Sequence, residues 1–254
     1  MSTASALRQE RPGTAVRQLL GSSRPLSWVN TAYPFGAAYL LAGGRPDLGF
    51  WIGALYFLVP YNLLMYGVND VFDYASDVLN PRKGGVEGVV LTDRWHRLTL
   101  WAAVLSNAPF LLALVLLGSP VSTAVLAFVV FAVVAYSAPG LRFKERPLLD
   151  SLTSSTHFAG PAVFGYALVA PAGSPGLSVL APFAAFFLWG VASQAFGAVQ
   201  DIRADRSAGI ASVATWAGPA ATVRLALGCY AAAGLLLLAG AGWPGWLSGL
   251  LAAP

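Results

Sequence analysis

The first residues that could carry out chemistry are three aspartates that follow the apolar stretch 50–68. On a helix, Asp70, Asp73 and Asp77 fall at i, i+3 and i+7, and Asn69 pairs with Asp73 at i, i+4. Like charges on one helix face repel each other unless a cation lies among them. A hard divalent ion such as Mg²⁺ prefers oxygen ligands and usually shares them with substrate phosphates. The spacing therefore predicts a metal–phosphate site, against the simpler interpretation of a solvated helix end.

A second acidic pair, Asp201 and Asp205, follows another long apolar stretch, 177–199, and also has helical i, i+4 spacing. Carboxylates at the edge of a membrane segment are costly and usually serve a function. Two such clusters at matching ends of two apolar segments indicate metal-bound diphosphate chemistry.

The composition indicates that the segments carrying these acids lie in a membrane. Hydrophobic residues make up 57% of the chain, charged residues only 10%, and the mean hydropathy is +0.65. This composition is typical of a polytopic helical bundle rather than of a soluble core. Cys229 is the only cysteine, which excludes an intramolecular disulfide. The sequence also lacks a zinc-ligand pattern, a P-loop and a dinucleotide-binding glycine motif.

The apolar segments predict an all-α fold with seven helices in a single transmembrane domain, residues 26–254, after a cytoplasmic segment, residues 1–25. The remaining stretch 243–254 is too short to cross a hydrocarbon core of about 30 Å as a helix. The seven predicted segments are 28–42, 50–68, 98–117, 121–136, 149–169, 177–199 and 220–239.

Basic residues predict the orientation of the bundle, because cytoplasmic loops carry an excess of Lys and Arg. With a cytoplasmic N-terminus, the loops after the second, fourth and sixth segments share one side, and the opposite turns contain only Arg45. Both acidic clusters are therefore expected at the cytoplasmic face of a plasma-membrane protein. The basic residues on that side are Arg82, Lys83, Arg94, Arg97, Arg142, Lys144, Arg146, Arg203 and Arg206.

The two acidic motifs, together with the stretch 136–144 (YSAPGLRFK), resemble the motifs of the UbiA superfamily of intramembrane prenyltransferases. The resemblance extends from Arg24 to Gly218, and Gly140 stands where a second proline is common in the family. It implies a bundle of about nine membrane helices around a central cavity. The short stretch after the seventh segment departs from that pattern.

The resemblance also implies that the enzyme ionises an allylic diphosphate with Mg²⁺, for which Mn²⁺ is a possible substitute. Electrostatic reasoning from the residues agrees, because two ions would neutralise the leaving diphosphate. For each basic candidate contact, the alternative is an ordinary charge that sets membrane topology. The expected metal ligands are Asn69, Asp70, Asp73, Asp77, Asp201 and Asp205, of which the five aspartates are the expected catalytic residues. The expected diphosphate contacts are Arg82, Lys83, Tyr136, Arg142, Lys144 and Arg206.

The stretches 80–88 and 197–215 are most similar to the lycopene elongase branch of the superfamily. That similarity implies transfer of C5 units from dimethylallyl diphosphate to lycopene, giving C50 carotenoids. Two alternatives stay open: a prenyltransferase for an aromatic quinone precursor or a tetrapyrrole, and a transporter or non-catalytic membrane protein. The transporter is disfavoured because its coupling acids would be expected at mid-span rather than at helix ends.

Overall fold

The computed structural model describes residues 15–74, 78, 91–170 and 175–240. Within these ranges the chain is helical and contains no β-strand, which confirms the all-α prediction. The helices are α1 (Ala15–Ser22), α2 (Val29–Leu41), α3 (Leu48–Phe72), α4 (Asp93–Leu117), α5 (Pro120–Ser137), α6 (Leu149–Val169), α7 (Leu177–Ala208), α8 (Val213–Ala217) and α9 (Pro219–Gly240). Short 3₁₀ turns lie at Pro25–Ser27 and Phe143–Glu145.

Each of the seven predicted segments contains a helix, and several helices extend beyond the apolar stretch. α3 begins at Leu48 because the Asp47 carboxylate accepts a hydrogen bond from the Phe50 amide at 3.0 Å and caps the helix. α7 continues past residue 199 to Ala208, so Asp201 and Asp205 do lie on a helix, as their spacing predicts.

Five helices among the described residues are long and apolar enough to cross a membrane, namely α3, α4, α5, α7 and α9. The other two segments differ for physical reasons. α2 has only 13 residues, fewer than the roughly 20 that span a bilayer. α6 has 21 residues, but its first half is polar, and Ser151, Thr153, Ser155 and Thr156 are buried inside the protein.

α6 is the central helix, since it packs against α2, α5 and α7. Its polar half therefore faces protein neighbours rather than lipid, and its second half joins an aromatic core. In that core the ring centroids of Phe35, Phe57 and Phe164 lie 5.2–6.0 Å from one another. The Tyr61 hydroxyl donates to the His157 carbonyl at 3.0 Å, which fixes α3 against α6. α3, which leads to the first acidic motif, is thus held against the central helix.

α3 changes its winding twice before it reaches the acidic motif. Val59 departs from helical geometry immediately before Pro60, as the residue before a proline tends to do. The Asn62 amide then donates to the carbonyls of Phe57 and Leu58 at 2.8 and 3.1 Å, which satisfies acceptors at the break. A π-helical turn follows at Leu63–Gly67, and the last α-helical piece is Val68–Phe72.

Candidate active site

The first acidic motif lies directly after the π-helical turn of α3, a feature that often marks functional sites. Asp70 is 1% exposed and Asp73 is 9% exposed, so both carboxylates are removed from solvent. The Asn69 amide nitrogen donates to Asp73 Oδ2 at 2.8 Å. This contact confirms the i, i+4 pairing that the sequence predicts.

The stretch 136–144 lies against this acidic motif. Ser137 Oγ donates to Asn69 Oδ1 at 3.2 Å, and the Lys144 ammonium donates to Asp73 Oδ1. Arg142 Nη2 lies 3.7 Å from the same carboxylate oxygen. Two motifs almost 70 residues apart in sequence therefore form one cluster, in which acidic and basic side chains contact each other.

The backbone of the basic loop is strained where its side chains approach the acids. Arg142 has φ 41°, in the left-handed region that is unfavourable for a residue with a Cβ. Its guanidinium pairs with Glu145, and Nη1 lies 3.5 Å from the Phe72 carbonyl oxygen. Such strain persists only where surrounding contacts hold it, and it concentrates at functional sites.

Burial and neighbouring charges also shift the pKa values of side chains in this loop. Burial lowers the pKa of Lys144 to about 8, against the raising effect of the Glu145 and Asp70 charges. The hydrogen bond from Arg142 lowers the pKa of Glu145 below its ordinary value, and the same bond raises the pKa of Arg142. A partly desolvated ammonium beside a paired guanidinium is suited to bind an incoming anion.

Arg24 is a site residue that sequence reasoning missed. Its Nη2 lies 3.1 Å from Asp70 Oδ1, and its guanidinium carbon lies 4.2 Å from the centroid of the Tyr66 ring. Arg24 also has a left-handed φ of 50°. In the sequence it is one of several arginines before the first apolar segment. Its position immediately before Pro25, where helical geometry is disfavoured, is the only signal that sets it apart.

The second acidic motif is held by the start of α8. Asp201 and Asp205 are half-buried on the last turns of α7. Ser212 Oγ donates to Asp205 Oδ2 at 3.1 Å, and Ser212 also caps α8. Asp150, buried at the start of α6, accepts from the Val213 amide at 2.8 Å. Sequence reasoning did not single out Ser212 or Asp150, because neither belongs to a motif recognisable from its spacing.

Tyr136 lies at the end of α5, directly before Ser137, whose side chain contacts Asn69 of the first acidic motif. Its ring packs edge-on against His157 with centroids 5.0 Å apart. Arg206 is exposed in the last turn of α7. The other predicted site residues, Asp77, Arg82 and Lys83, lie outside the described residues.

The donor set fits Mg²⁺ by its chemistry, because carboxylate and amide oxygens are the hard ligands that this ion prefers. Among the residues that the structure describes, however, no group of three or more His, Cys, Asp or Glu side chains is close enough to form a metal cage. Arg24 pairs with Asp70, while Lys144 and Arg142 approach Asp73. Side-chain cations thus relieve the repulsion that the sequence spacing predicts.

A cleft of about 890 Å³ lies between α2, α6 and α7. Its wall is mainly aromatic and aliphatic, and none of its described lining residues carries a charge. Apolar clefts with a few convergent polar groups are typical ligand sites. The lining includes Tyr33, Pro34, Phe158, Tyr166, Phe183 and Trp189, together with the polar residues Asn30, Ser154, Ser193 and Gln194.

Comparison with known sequences identifies relatives along most of the chain. The sequence profile of the UbiA prenyltransferase family matches residues 31–254. A lycopene elongase/hydratase of Corynebacterium glutamicum is 52% identical over 235 residues, which cover 92% of this chain and 81% of that protein. A C50 β-cyclic carotenoid biosynthesis protein of a Dietzia species is 57% identical over 237 residues, covering 92% of this chain and 54% of the relative.

Comparison with solved structures shows the same fold. A UbiA homologue from Archaeoglobus fulgidus, solved with DMAPP and Mg²⁺, superposes with a TM-score of 0.72 at 19% sequence identity. The match covers 93% of this chain and 83% of the homologue. This agreement confirms the expected bundle architecture.

Proposed function

The chain belongs to the UbiA prenyltransferase family, and from this premise we propose that it transfers C5 units from dimethylallyl diphosphate to lycopene. The observation that carries the acceptor assignment is the uncharged cleft between α2, α6 and α7. The carotenoid-related names of relatives at 52% and 57% identity support it.

The donor diphosphate would bind beside the first acidic motif and the stretch 136–144, and the second acidic motif is assigned to the same site from the sequence. Arg142 and Lys144 can donate charge-assisted hydrogen bonds to its oxygens, and Arg24, which pairs with Asp70, can contribute a third cation. Tyr136 and Arg206, like Arg82 and Lys83, are assigned to this region from the sequence. These residues hold the donor while its allylic C–O bond breaks.

The metal ligands in this proposal are Asn69, Asp70, Asp73, Asp201 and Asp205, with Asp77 added from the sequence. Mg²⁺ bound there would supply charge neutralisation for the departing diphosphate, and Mn²⁺ is proposed as a substitute. Asn69 orients Asp73, and Ser212 orients Asp205, through the hydrogen bonds described above. Such partners fix the direction in which a ligand oxygen points.

The cleft favours a polyene over an acceptor with a carboxylate. Burying an unpaired anion costs several kcal/mol, and no cationic side chain lines the described cleft to pair it. A C40 polyene carries no such cost and already dissolves in the bilayer. Aromatic side chains such as Phe158 and Trp189 provide contact surface for it.

We further propose that the protein lies in the plasma membrane with its donor site on the cytoplasmic side. The basic loop between α5 and α6 contains Arg142, Lys144 and Arg146, whereas the turn between α2 and α3 contains only Arg45. This asymmetry follows the positive-inside rule. In the proposed orientation the donor site would face the cytoplasm, where Mg²⁺ and isoprenoid diphosphates are available.

Expression in a lycopene-producing bacterium tests this proposal. Pigment extracts should show lycopene converted in two C5 steps, to C45 and then C50 products, because each end of the polyene must react separately. Unchanged lycopene, together with prenylation of a supplied quinone precursor or tetrapyrrole, would contradict the proposed acceptor.

A further inference from the structure

A polar pair interrupts the apolar wall of the cleft. Ser154 Oγ on α6 donates to Gln194 Oε1 on α7 at 3.0 Å, and both side chains are half-exposed to the cleft. Among the described residues, no hydrogen-bond partner is found for the Gln194 amide nitrogen. Its N–H groups are therefore available to a ligand in the cleft.

Holding α6 against α7 does not explain this pair, because a neighbouring hydrogen bond already joins the two helices. Ser155 Oγ donates to the Phe187 carbonyl at 2.6 Å, and Ser155 is 1% exposed. Gly190 allows this close approach, since a Cβ there would lie 2.4 Å from Ser155 Oγ. A glutamine facing an apolar cleft at membrane depth is costly and points to a function.

Gln194 shares one face of α7 with the second acidic motif. Asp201 and Asp205 lie at i+7 and i+11 from Gln194, which is close to two and three full helical turns. At 1.5 Å per residue, Gln194 lies about 10 Å deeper than Asp201. Gly197 stands between them, and a Cβ there would meet no atom within 4 Å. Within the part of the chain that the structure describes, no other group therefore fills the space beside α7 at this point between Gln194 and Asp201.

We propose that Ser154 and Gln194 hold the water molecule that adds to the carbocation formed on the acceptor. This inference rests on the proposed function. The dimethylallyl cation forms a C–C bond with the terminal double bond of the polyene, which leaves a tertiary cation on the acceptor. The water oxygen forms a C–O bond with that carbon, and one proton passes to solvent. Without the bound water, the cation instead loses a C–H proton and becomes an alkene.

The ratio of hydroxylated to anhydro products tests the inference in the lycopene-producing host. In Gln194→Leu this ratio should fall about tenfold, as expected from losing one or two hydrogen bonds, while C5 addition continues. Gln194→Met, which keeps the length of the side chain, and Ser154→Ala should shift the ratio in the same direction. Ser155→Ala is the matched control, because it breaks the interhelical bond outside the cleft and should leave the ratio unchanged.

Mass spectrometry distinguishes every outcome, since each added water is a separate mass increment on the C45 and C50 products. An unchanged ratio in Gln194→Leu and Gln194→Met overturns the inference, even if total product falls. Wild-type products without added water also overturn it, while leaving C5 transfer to lycopene intact. Absence of any C5 product from the wild type instead contradicts the proposed function itself, and the inference with it.

Discussion

At the scale of single residues, the first acidic motif is neutralised by basic side chains. Asp70 pairs with Arg24, and Asp73 contacts Lys144, with Arg142 nearby. We expect a bound diphosphate to take over these cations, leaving carboxylate oxygens to coordinate metal. The basic residues are then part of the donor site rather than simple topology signals.

Replacement of Lys144 tests this role. Lys144→Gln should raise the KM for dimethylallyl diphosphate on the order of tenfold or more, because a charge-assisted hydrogen bond is lost, and leave the acceptor dependence nearly unchanged. Arg146→Gln is the control, since Arg146 is exposed in the same loop, stacking on Phe143. A normal KM in a correctly inserted Lys144→Gln protein would mean that Lys144 only sets the membrane topology and does not bind the donor.

Ser212 is expected to act through Asp205. Ser212→Ala removes the hydrogen bond to Asp205 Oδ2 and should raise the Mg²⁺ concentration needed for half-maximal activity about tenfold. The Mg²⁺-dependent rise in Tm should shift to higher Mg²⁺ in parallel. Thr215→Ala removes the reciprocal capping bond to Ser212 N without touching Asp205, so its Mg²⁺ dependence should stay normal. Identical Mg²⁺ curves for both variants would rule out this positioning role.

At the scale of helices, apolar runs and turn residues were sufficient to predict the seven helical segments. The π turn at Leu63–Gly67 could not be predicted, because its residues have the same apolar character as an ordinary α-helix. The contact between Arg24 and Asp70 was also beyond sequence reasoning, since no periodicity relates residues in separate elements. The motifs did predict the i, i+4 contact between Asn69 and Asp73 at the end of α3 and the helical position of Asp201 and Asp205 on α7.

The close approach of α2 to α6 gives a stability prediction at this scale. A Cβ at Gly165 would lie 2.4 Å from the Phe35 carbonyl oxygen, a backbone atom that cannot move independently. Gly165→Ala should therefore lower the Tm of the purified protein by about 5 °C through overpacking. Gly228→Ala in α9 is the control, because a Cβ there meets no atom within 4 Å and alanine favours the helix. Equal Tm values for the two variants would disprove the tight contact.

At the scale of the whole molecule, the charge asymmetry predicts how the bundle lies in the membrane. Single cysteines introduced in a Cys229→Ala background can report it, because Cys229 is the only native cysteine. In intact spheroplasts, Arg45→Cys should react with an impermeant maleimide, and Arg146→Cys should react only after permeabilisation. Both positions are exposed. The reverse labelling pattern would place the donor site outside the cell.

The acceptor is the property least accessible to sequence reasoning. Acidic and basic motifs specify diphosphate chemistry by residue type and spacing, whereas a polyene is recognised by the shape of an apolar wall. That wall is assembled from α2, α6 and α7, and its residues do not form a motif. The sequence indicates the acceptor through its resemblance to lycopene elongases and through its shortage of fixed charges outside the donor motifs, and the uncharged cleft supports the same acceptor.

The most direct test of the central claim is transfer of radiolabel from dimethylallyl diphosphate to carotenoid by the purified protein in lycopene-containing vesicles. With Mg²⁺, the wild type should place label in C45 and then C50 products, and chelator should abolish the transfer. Asp73→Asn and Asp201→Asn should each reduce the rate on the order of 100-fold or more, because each removes a metal ligand that neutralises the leaving diphosphate. Full transfer in chelator, or wild-type rates in either variant, would contradict the account.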